Sequence, residues 1–506
     1  MQYRLFSVLS CLISLTAMAE EVEAEATATL PTAIPAEEGK KEGTTPPAVV
    51  AAEKEWESWA KRIRKNLGPE DSAVGFGETG LGISSNPAAV NIFTGTGKLG
   101  SLFGARPSTG VRLGGMYIAD GNAVLAGGIS HQVTGNSLLV LSLSMDFEKM
   151  SYWKGGLFGM EFLQFNGMPT DTYAGVFPSY NSLPGQPPLD RSELYQLWYR
   201  QSLLDDRLIF RIGKTVPTYD FNNVLRPVPT RDESLSIPSV SGLIYTPIFV
   251  NPTMLGVMPG YYNSAYGLTI NAAPWEDYYF SYGVYDGNLA NGVQTGLTGP
   301  HFNGYYFQVA EAGMAWGIGP WHKPGMSAVG GWYQTGCLSA VCKAPPVCCD
   351  EEPECPPCPD CPPACPSCEP EPVCKIQEQG TGGIYIFGSQ RLWLRHPEVD
   401  NSGVSAFYQA GVNFSQTLPF QEYLGLGATA YGLTRPNDSM GIGMAWSWMN
   451  KHTFNRPSQL MFQAYYQGNI SSTVYLQPVI SYIPTPSLGA DIPQTWAVTL
   501  RLIALF

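Results

Sequence analysis

WAVTLRLIALF, residues 496–506, sets the reading of the whole chain. Trp496, Val498, Leu500, Leu502, Ala504 and Phe506 are apolar and alternate with Ala497, Thr499 and Arg501. Successive side chains of an extended chain point to opposite faces, so a period of two means a strand with one apolar face. The pattern recurs upstream. Val474, Leu476, Ile480 and Tyr482 alternate with Thr473, Tyr475, Gln477 and Ser481. Ile442, Met444, Trp446 and Trp448 alternate with Gly441, Gly443, Ala445 and Ser447, and Leu139, Leu141, Leu143, Met145 and Phe147 with Ser142, Ser144, Asp146 and Glu148. Further strands are expected near residues 195–201, 208–212, 279–285, 305–309, 408–415, 424–431 and 460–466.

A soluble β-sandwich alternates too, but its outward face is charged and its apolar face points inward. Here only 14% of 506 residues are charged, against about 25% in ordinary soluble domains. The face opposite the apolar one is mostly Gly, Ser, Thr, Gln and Tyr. A closed barrel in lipid explains both faces, with apolar residues outward and small or polar ones toward a watery lumen. A hydrophobic content of 44% excludes disorder of the whole chain. No run of about 18 apolar residues follows the N-terminus, which excludes a helical membrane protein. The expected fold is all-β, a transmembrane antiparallel β-barrel of about 16 strands at ~10 residues per span, with a short N-terminal helix. Trp446, Trp448, Tyr482, Trp496 and Phe506 suit interfacial girdles.

The barrel is expected over residues 69–506. Residues 1–19 (MQYRLFSVLSCLISLTAMA) have a short basic n-region, an apolar stretch and a closing Ala17-Met18-Ala19, the pattern of a cleaved export signal. Residues 20–52 are rich in Ala, Glu, Thr and Pro and read as a flexible tether. Residues 53–68 place Trp56, Trp59, Ala60, Ile63 and Leu67 on one helical stripe, with acids leading and bases trailing in accord with the helix dipole. The formal charge of −13 is uneven. Residues 20–68 have ten acids and seven bases, and residues 337–380 have eight acids and two bases. No basic stripe remains, so nucleic acid is not an expected partner.

Several segments resemble the carbohydrate-selective porin (OprB) family. They are Gly97-Lys98-Leu99-Gly100, Gly110-Val111-Arg112-Leu113-Gly114-Gly115, Asp146-Phe147-Glu148-Lys149 and Trp153-Lys154-Gly155-Gly156. Glu193-Leu194-Tyr195-Gln196-Leu197-Trp198-Tyr199 follows, then Arg211-Ile212-Gly213-Lys214 and Asp220-Phe221-Asn222. Near the C-terminus come Gly441-Ile442-Gly443-Met444-Ala445-Trp446-Ser447, Tyr475-Leu476-Gln477-Pro478 and Ser481-Tyr482-Ile483. The likeness spans roughly residues 95–335 and 383–506. It implies an outer-membrane barrel of about 16 strands that passes sugars by facilitated diffusion. Three departures stand out. A Gly-Asp-Trp-Gly-Gly block expected near the N-terminus is replaced by Gly75-Phe76-Gly77-Glu78-Thr79-Gly80, Gln459 and Gln463 stand where the family tends to place Glu, and a cysteine-rich insert interrupts the barrel.

A sugar pore needs hydrogen-bonding groups and aromatic faces at a constriction, with binding weak enough for release. With the apolar parity outward, the candidates for the solute pathway are Asp146, Glu148, Gln196, Trp198, Arg200, Arg207 and Arg211, with Lys214 and Asp220 just beyond. Acids and bases together suit neutral polyols better than a single-sign filter would. The alternative is that these charges pair across the wall and hold it rigid. Residues 171–190 or 222–259 are each long enough to fold in and narrow the pore, and the sequence leaves the choice open.

Cys337, Cys342, Cys348, Cys349, Cys355, Cys358, Cys361, Cys365, Cys368 and Cys374 lie in the Cys/Pro-rich insert, residues 337–380. The Cys355-x2-Cys358-x2-Cys361-x3-Cys365-Pro366 spacing matches a ferredoxin cluster. An exported chain meets an oxidising compartment, where disulfides are the default. Disulfides are therefore expected, within the insert or to other cysteine-rich envelope proteins, with no metal or cofactor. His131, His301, His322, His396 and His452 are scattered without paired-ligand spacing, and no Gly-x-Ser-x-Gly elbow occurs, so no enzyme is expected. The expected partners are membrane lipid and small sugars or similar polar solutes. A general diffusion porin and a structural or adhesive barrel are the alternatives.

Overall fold

The computed structural model describes residues 98–105, 109–183, 190–222, 224–225, 228–231, 242–258, 264–286, 306–341, 375–397, 402–435, 438–471 and 473–506. A short helix α1 (Lys98–Ser101) precedes β1 (Val111–Ala126), β2 (Val133–Asp146) and β3 (Gly156–Asn166). Helix α2 (Thr170–Ala174) leads to β4 (Asp190–Leu203), β5 (Leu208–Thr215), β6 (Ala265–Ala272), β7 (Tyr278–Asp286), β8 (Tyr306–Ile318) and β9 (Lys323–Val341). The chain continues through β10 (Lys375–Leu394), β11 (Gly403–Asn413), β12 (Phe420–Tyr431) and β13 (Ser439–Met449). It ends with β14 (Ser458–Ser471), β15 (Val474–Ile483) and β16 (Thr495–Leu505).

Each strand pairs antiparallel with the next, and β16 pairs with β1, closing the barrel. Closure removes every sheet edge, the condition for a sheet to span a bilayer. At the seam, Phe506 and Gly115 exchange both backbone hydrogen bonds, at 2.8 and 3.0 Å. A Cβ built on Gly115 falls 2.7 Å from the Phe506 ring and 2.3 Å from the Val140 carbonyl, so only glycine fits there.

The parity read from the sequence is the parity observed. Leu500 (52% exposed), Ile442 (63%) and Ile212 (54%) point outward with the rest of their faces, while Thr499, Arg501, Ser447 and Gln477 are buried inside. Trp446 stacks on Trp448 at 4.2 Å and Tyr482 on Trp496 at 4.4 Å, forming part of an aromatic band. A second set, Trp153, Trp275, Trp321 and Trp393, stands exposed at the opposite end of the barrel. Two girdles separated by an apolar wall are the mark of a membrane barrel.

The two ends differ. The termini share one end with the connectors 147–155, 204–207, 273–277, 319–322, 395–402, 432–438 and 472–473. The long connectors 167–189, 216–264, 287–305 and 342–374 all leave the other end. Short turns belong to the periplasmic side and long loops to the outside.

The core does not lie between two sheets. It lies between the barrel wall and loop segments folded into the lumen. Val176, Tyr180, Leu243, Tyr245, Ile248 and Met254 from the loops pack against Tyr285, Phe407, Tyr423 and Tyr465 from the wall. Leu183, Val216 and Tyr219 pack against Met116, Leu138, Val140 and Phe165. The lumenal face is thus partly apolar, where the expectation was small and polar residues, because the inward loops need apolar footing.

Residues 1–97 lie outside the described residues, as do the export signal, tether and helix expected there. The 337–380 segment is not all loop. Strand β9 runs through Cys337 to Val341 and β10 starts at Lys375, with Lys375 opposite Val341. The pairing of β8 with β9 reaches only Gln334, and that of β10 with β11 only Gly383. Among the described residues, 337–341 and 375–379 therefore pair as strands only with each other, as a two-stranded ribbon beyond the wall. Cys337 is exposed on this ribbon, and the other nine cysteines of the segment lie outside the described residues.

Candidate solute pathway

Both long loops enter the lumen, so the choice the sequence left open resolves to both. The first begins at α2. Thr170 is fixed by Thr134 (2.7 Å) and Asn136 (3.1 Å), two inward side chains of β2. Asp171 accepts the backbone N–H of Tyr180 at 3.0 Å and of Asn181 at 3.4 Å, folding the following residues back on the helix. Burial pushes the Asp171 carboxyl up to about 7. Phe177 N–H then donates to Gln459 Oε1 of β14 (3.1 Å) and to Ser487 Oγ of the 484–494 connector (2.8 Å).

The second loop runs against the first. Ser182 N–H donates to Ile244 O at 2.7 Å and Thr246 N–H to Ser179 O at 2.9 Å, a short backbone pairing inside the barrel. Gln463 joins both loops to β14. Its Oε1 accepts from Ile244 N–H (2.6 Å) and its Nε2 donates to Tyr180 O (3.0 Å) and Ser481 Oγ (2.8 Å). Gln459 does the same for the first loop, accepting from Phe177 and donating to Pro178 O at 2.9 Å. These are the two positions where the resemblance implies Glu and this chain has Gln. An amide both donates and accepts, which an ionised carboxylate does not. The second loop is also held by Gln477 on Gly242 O (2.7 Å), Asn413 on Thr253 O (2.8 Å) and Glu311 on Asn222 N–H (2.8 Å).

Buried charges on the wall beside these loops lie in pairs. Arg501 donates to both oxygens of Asp120, at 2.8 and 2.7 Å, directly across the β1–β16 seam. Asn181 of the first loop caps the pair, donating to Asp120 Oδ2 and Asn122 Oδ1 at 2.8 Å each. Arg211 bonds Asp220, which also accepts from Thr269 Oγ1 at 3.1 Å, and its guanidinium lies 5.4 Å from the Trp198 ring. Gln196 bonds Glu161, which accepts from Ser142 at 3.2 Å. Lys214 donates to Leu194 O at 2.6 Å and lies 3.6 Å from Glu193, which is 3.7 Å from Arg191.

The structure brings Gln196, Trp198, Arg211, Lys214 and Asp220 together on β4, β5 and the start of the second loop, with Arg200 opposite Arg211 in register. It does not bring Asp146, Glu148 or Arg207 there. Asp146 accepts from the N–H groups of Glu148 (3.0 Å) and Lys149 (3.1 Å), and Glu148 from Gly155 (3.1 Å), so both shape the 147–155 turn. Arg207 is exposed in the 204–207 turn. Parity assigns a side chain to a face but carries no information on depth along the barrel. Asp120, Asn181, Glu161, Glu193 and Glu311 were missed. Arg501 stood in plain view as the one inward charge of the last strand, and its partner Asp120 sits on the inward parity of β1.

The sequence profile of the carbohydrate-selective porin, OprB family, matches residues 134–506. The chain belongs to this family. The high-pH structure of Pseudomonas putida OprB is 16% identical with a TM-score of 0.64, over 83% of this chain and 100% of that one. Its low-pH structure is 13% identical with a TM-score of 0.47, over 83% and 99%. OmpT of Vibrio cholerae is 6% identical with a TM-score of 0.44, over 78% and 97%. No curated protein matches the sequence. The OprB fold is therefore shared, and the chain is an outer-membrane carbohydrate porin of the Gram-negative type, with the family and fold of a channel.

Proposed function

We propose that this OprB-family barrel passes neutral sugars and similar polyols through the space left beside its two inward loops, without catalysis. The supporting observation is the pairing of buried charges around the loops: Asp120 with Arg501, Asp220 with Arg211 and Glu193 with Lys214. Paired charges present fixed donors and acceptors with little net field, which suits hydroxyl-bearing solutes and gives ions no single-sign attraction. Gln196, Trp198, Arg200, Arg211, Lys214 and Asp220 are the pathway residues we favour, joined by Asp120 and Arg501. Planar-bilayer recording with a sugar panel tests the reading. Conductance partly blocked by saccharides is expected. Channels indifferent to every sugar mark a general diffusion porin, and no channels at all a structural barrel.

The exposed Cys337 on a ribbon beyond the wall favours a second role beside transport. The cysteines of residues 337–380 form disulfides within the segment or with other cysteine-rich envelope proteins. Non-reducing electrophoresis of isolated envelopes is expected to give a high-mass ladder that collapses on reduction, and a sharp monomer band removes the intermolecular form. Cleavage after Ala19 is checked by mass spectrometry of the mature N-terminus, expected at Glu20.

A further inference from the structure

Arg391 lies on β10 with its side chain turned into the barrel, 1% exposed. Its Nε and Nη1 have no hydrogen-bond partner, and no carboxylate pairs with it, among the described residues. The ring of Tyr431, 5.7 Å from the guanidinium carbon, offsets part of the charge but leaves those N–H groups unbonded. Arg211, Lys214, Arg191 and Arg501, by contrast, each face an acid. A buried cation without a counter-charge is strongly disfavoured, and native proteins leave few buried polar groups unbonded.

Three hydroxyls beside it are in the same condition. Ser405 on β11 is the register partner of Arg391, and Thr429 on β12 is the register partner of Ser405. Ser389 stands two residues before Arg391 on β10. The Oγ atoms of Ser389 and Ser405 and the Oγ1 of Thr429 are buried without a partner among the described residues. One guanidinium and three hydroxyls thus line three adjacent strands, near the 395–402 connector at the short-turn end. Donors around a single positive charge fit an oxyanion. A neutral sugar would satisfy the hydroxyls and leave the charge uncompensated.

We infer that Arg391, Ser405, Thr429 and Ser389 form an oxyanion-binding site in the lumen near its short-turn mouth. It takes a carboxylate or phosphate group, either inorganic or carried by a sugar acid or sugar phosphate. The binding itself does not depend on the pore reading; its place on a solute route does.

Calorimetry on the full chain in detergent, with inorganic phosphate, glucose 6-phosphate, glucuronate and glucose, tests this. The three anions are expected to bind the wild type and to bind R391Q at least about tenfold more weakly, the loss of a charge-assisted bond. S405A/T429A is expected to weaken binding in the same direction. Equal affinity for all three anions means the oxyanion alone is read, and tighter binding of the two sugar anions identifies a carbohydrate source. No anion binding by the wild type, or unchanged binding in folded R391Q, overturns the site. Should R391Q lose its heat-modifiable mobility, S405A/T429A decides, and unchanged phosphate binding there overturns it. A wild type that binds phosphate but forms no channel in bilayers defeats the pore reading alone. Channels blocked by glucose without anion binding defeat the oxyanion site alone.

Discussion

Gln463 does three things at once because it is an amide: it accepts from Ile244 and donates to Tyr180 and Ser481. Gln463→Glu keeps the acceptor, loses both donations and sets a carboxylate against the Tyr180 carbonyl. The expected loss is about 1–3 kcal/mol, read as lower protection of residues 177–183 and 242–246 in hydrogen exchange while the barrel strands hold. Asp171 adds a pH dependence to the same loop. Its carboxyl rises from an ordinary 3.8 to about 7 on burial, so the folded loop holds its proton more tightly than the unfolded chain. Its contribution is fully present below about pH 4 and is lost as pH rises through about 7. Protection of residues 171–183, corrected for intrinsic exchange, is expected to fall across that window in the wild type. In Asp171→Asn, which stays neutral and still accepts, it is expected to stay flat. At this scale the sequence was half legible. Arg211 was named by parity and Asp220 as lying just beyond it, and the two meet. Asn181 and Asp171 lie in a loop with no period, so nothing in the sequence marked them as wall contacts.

Eleven of the sixteen strands were legible because lipid on one side and a mostly polar face on the other impose an alternation along each of them, and β1, β3, β6, β9 and β10 were not read as strands. Strands β9 and β10, of 19 and 20 residues, extend into a segment whose Cys and Pro content hides the pattern. The Trp residues of the second girdle, Trp153, Trp275, Trp321 and Trp393, sit in or beside turns, outside any periodic run. The ribbon is tied to the wall by Glu378, which accepts from Ser415 and Thr417 side chains and from Gln416 N–H at 2.9 Å. These bonds involve no residue of 342–374, so they are expected to survive its removal. Replacing residues 342–374 by Asn-Gly, a two-residue hairpin turn, is expected to leave heat-modifiable mobility and conductance at wild-type values. It is also expected to remove most of the high-mass ladder in non-reducing gels. A loss of conductance would show that the segment takes part in the pore.

A closed barrel of 16 strands has no edge from which to unravel, so its stability depends on the seam where the first and last strands meet. That seam carries a bidentate ion pair, Arg501 on Asp120, with Asn181 bridging it to the first loop. One contact therefore joins closure of the molecule to the position of the first inward loop. Arg501→Gln leaves Asp120 buried without its counter-charge, and Asp120→Asn does the same to Arg501. Each is expected to cost about 3–5 kcal/mol, measured by urea titration of tryptophan fluorescence in lipid vesicles. The double variant replaces both charges by amides that still reach Asn181, and is expected to lose clearly less than the sum of the singles. The same three proteins in planar bilayers separate closure from constriction. If Asn181 holds the loop through this pair, the single variants show larger and noisier conductance than the wild type, and the double variant returns toward it. If conductance is unchanged in folded single variants, the pair serves the seam alone, and the first loop keeps its place through Gln459 and Gln463.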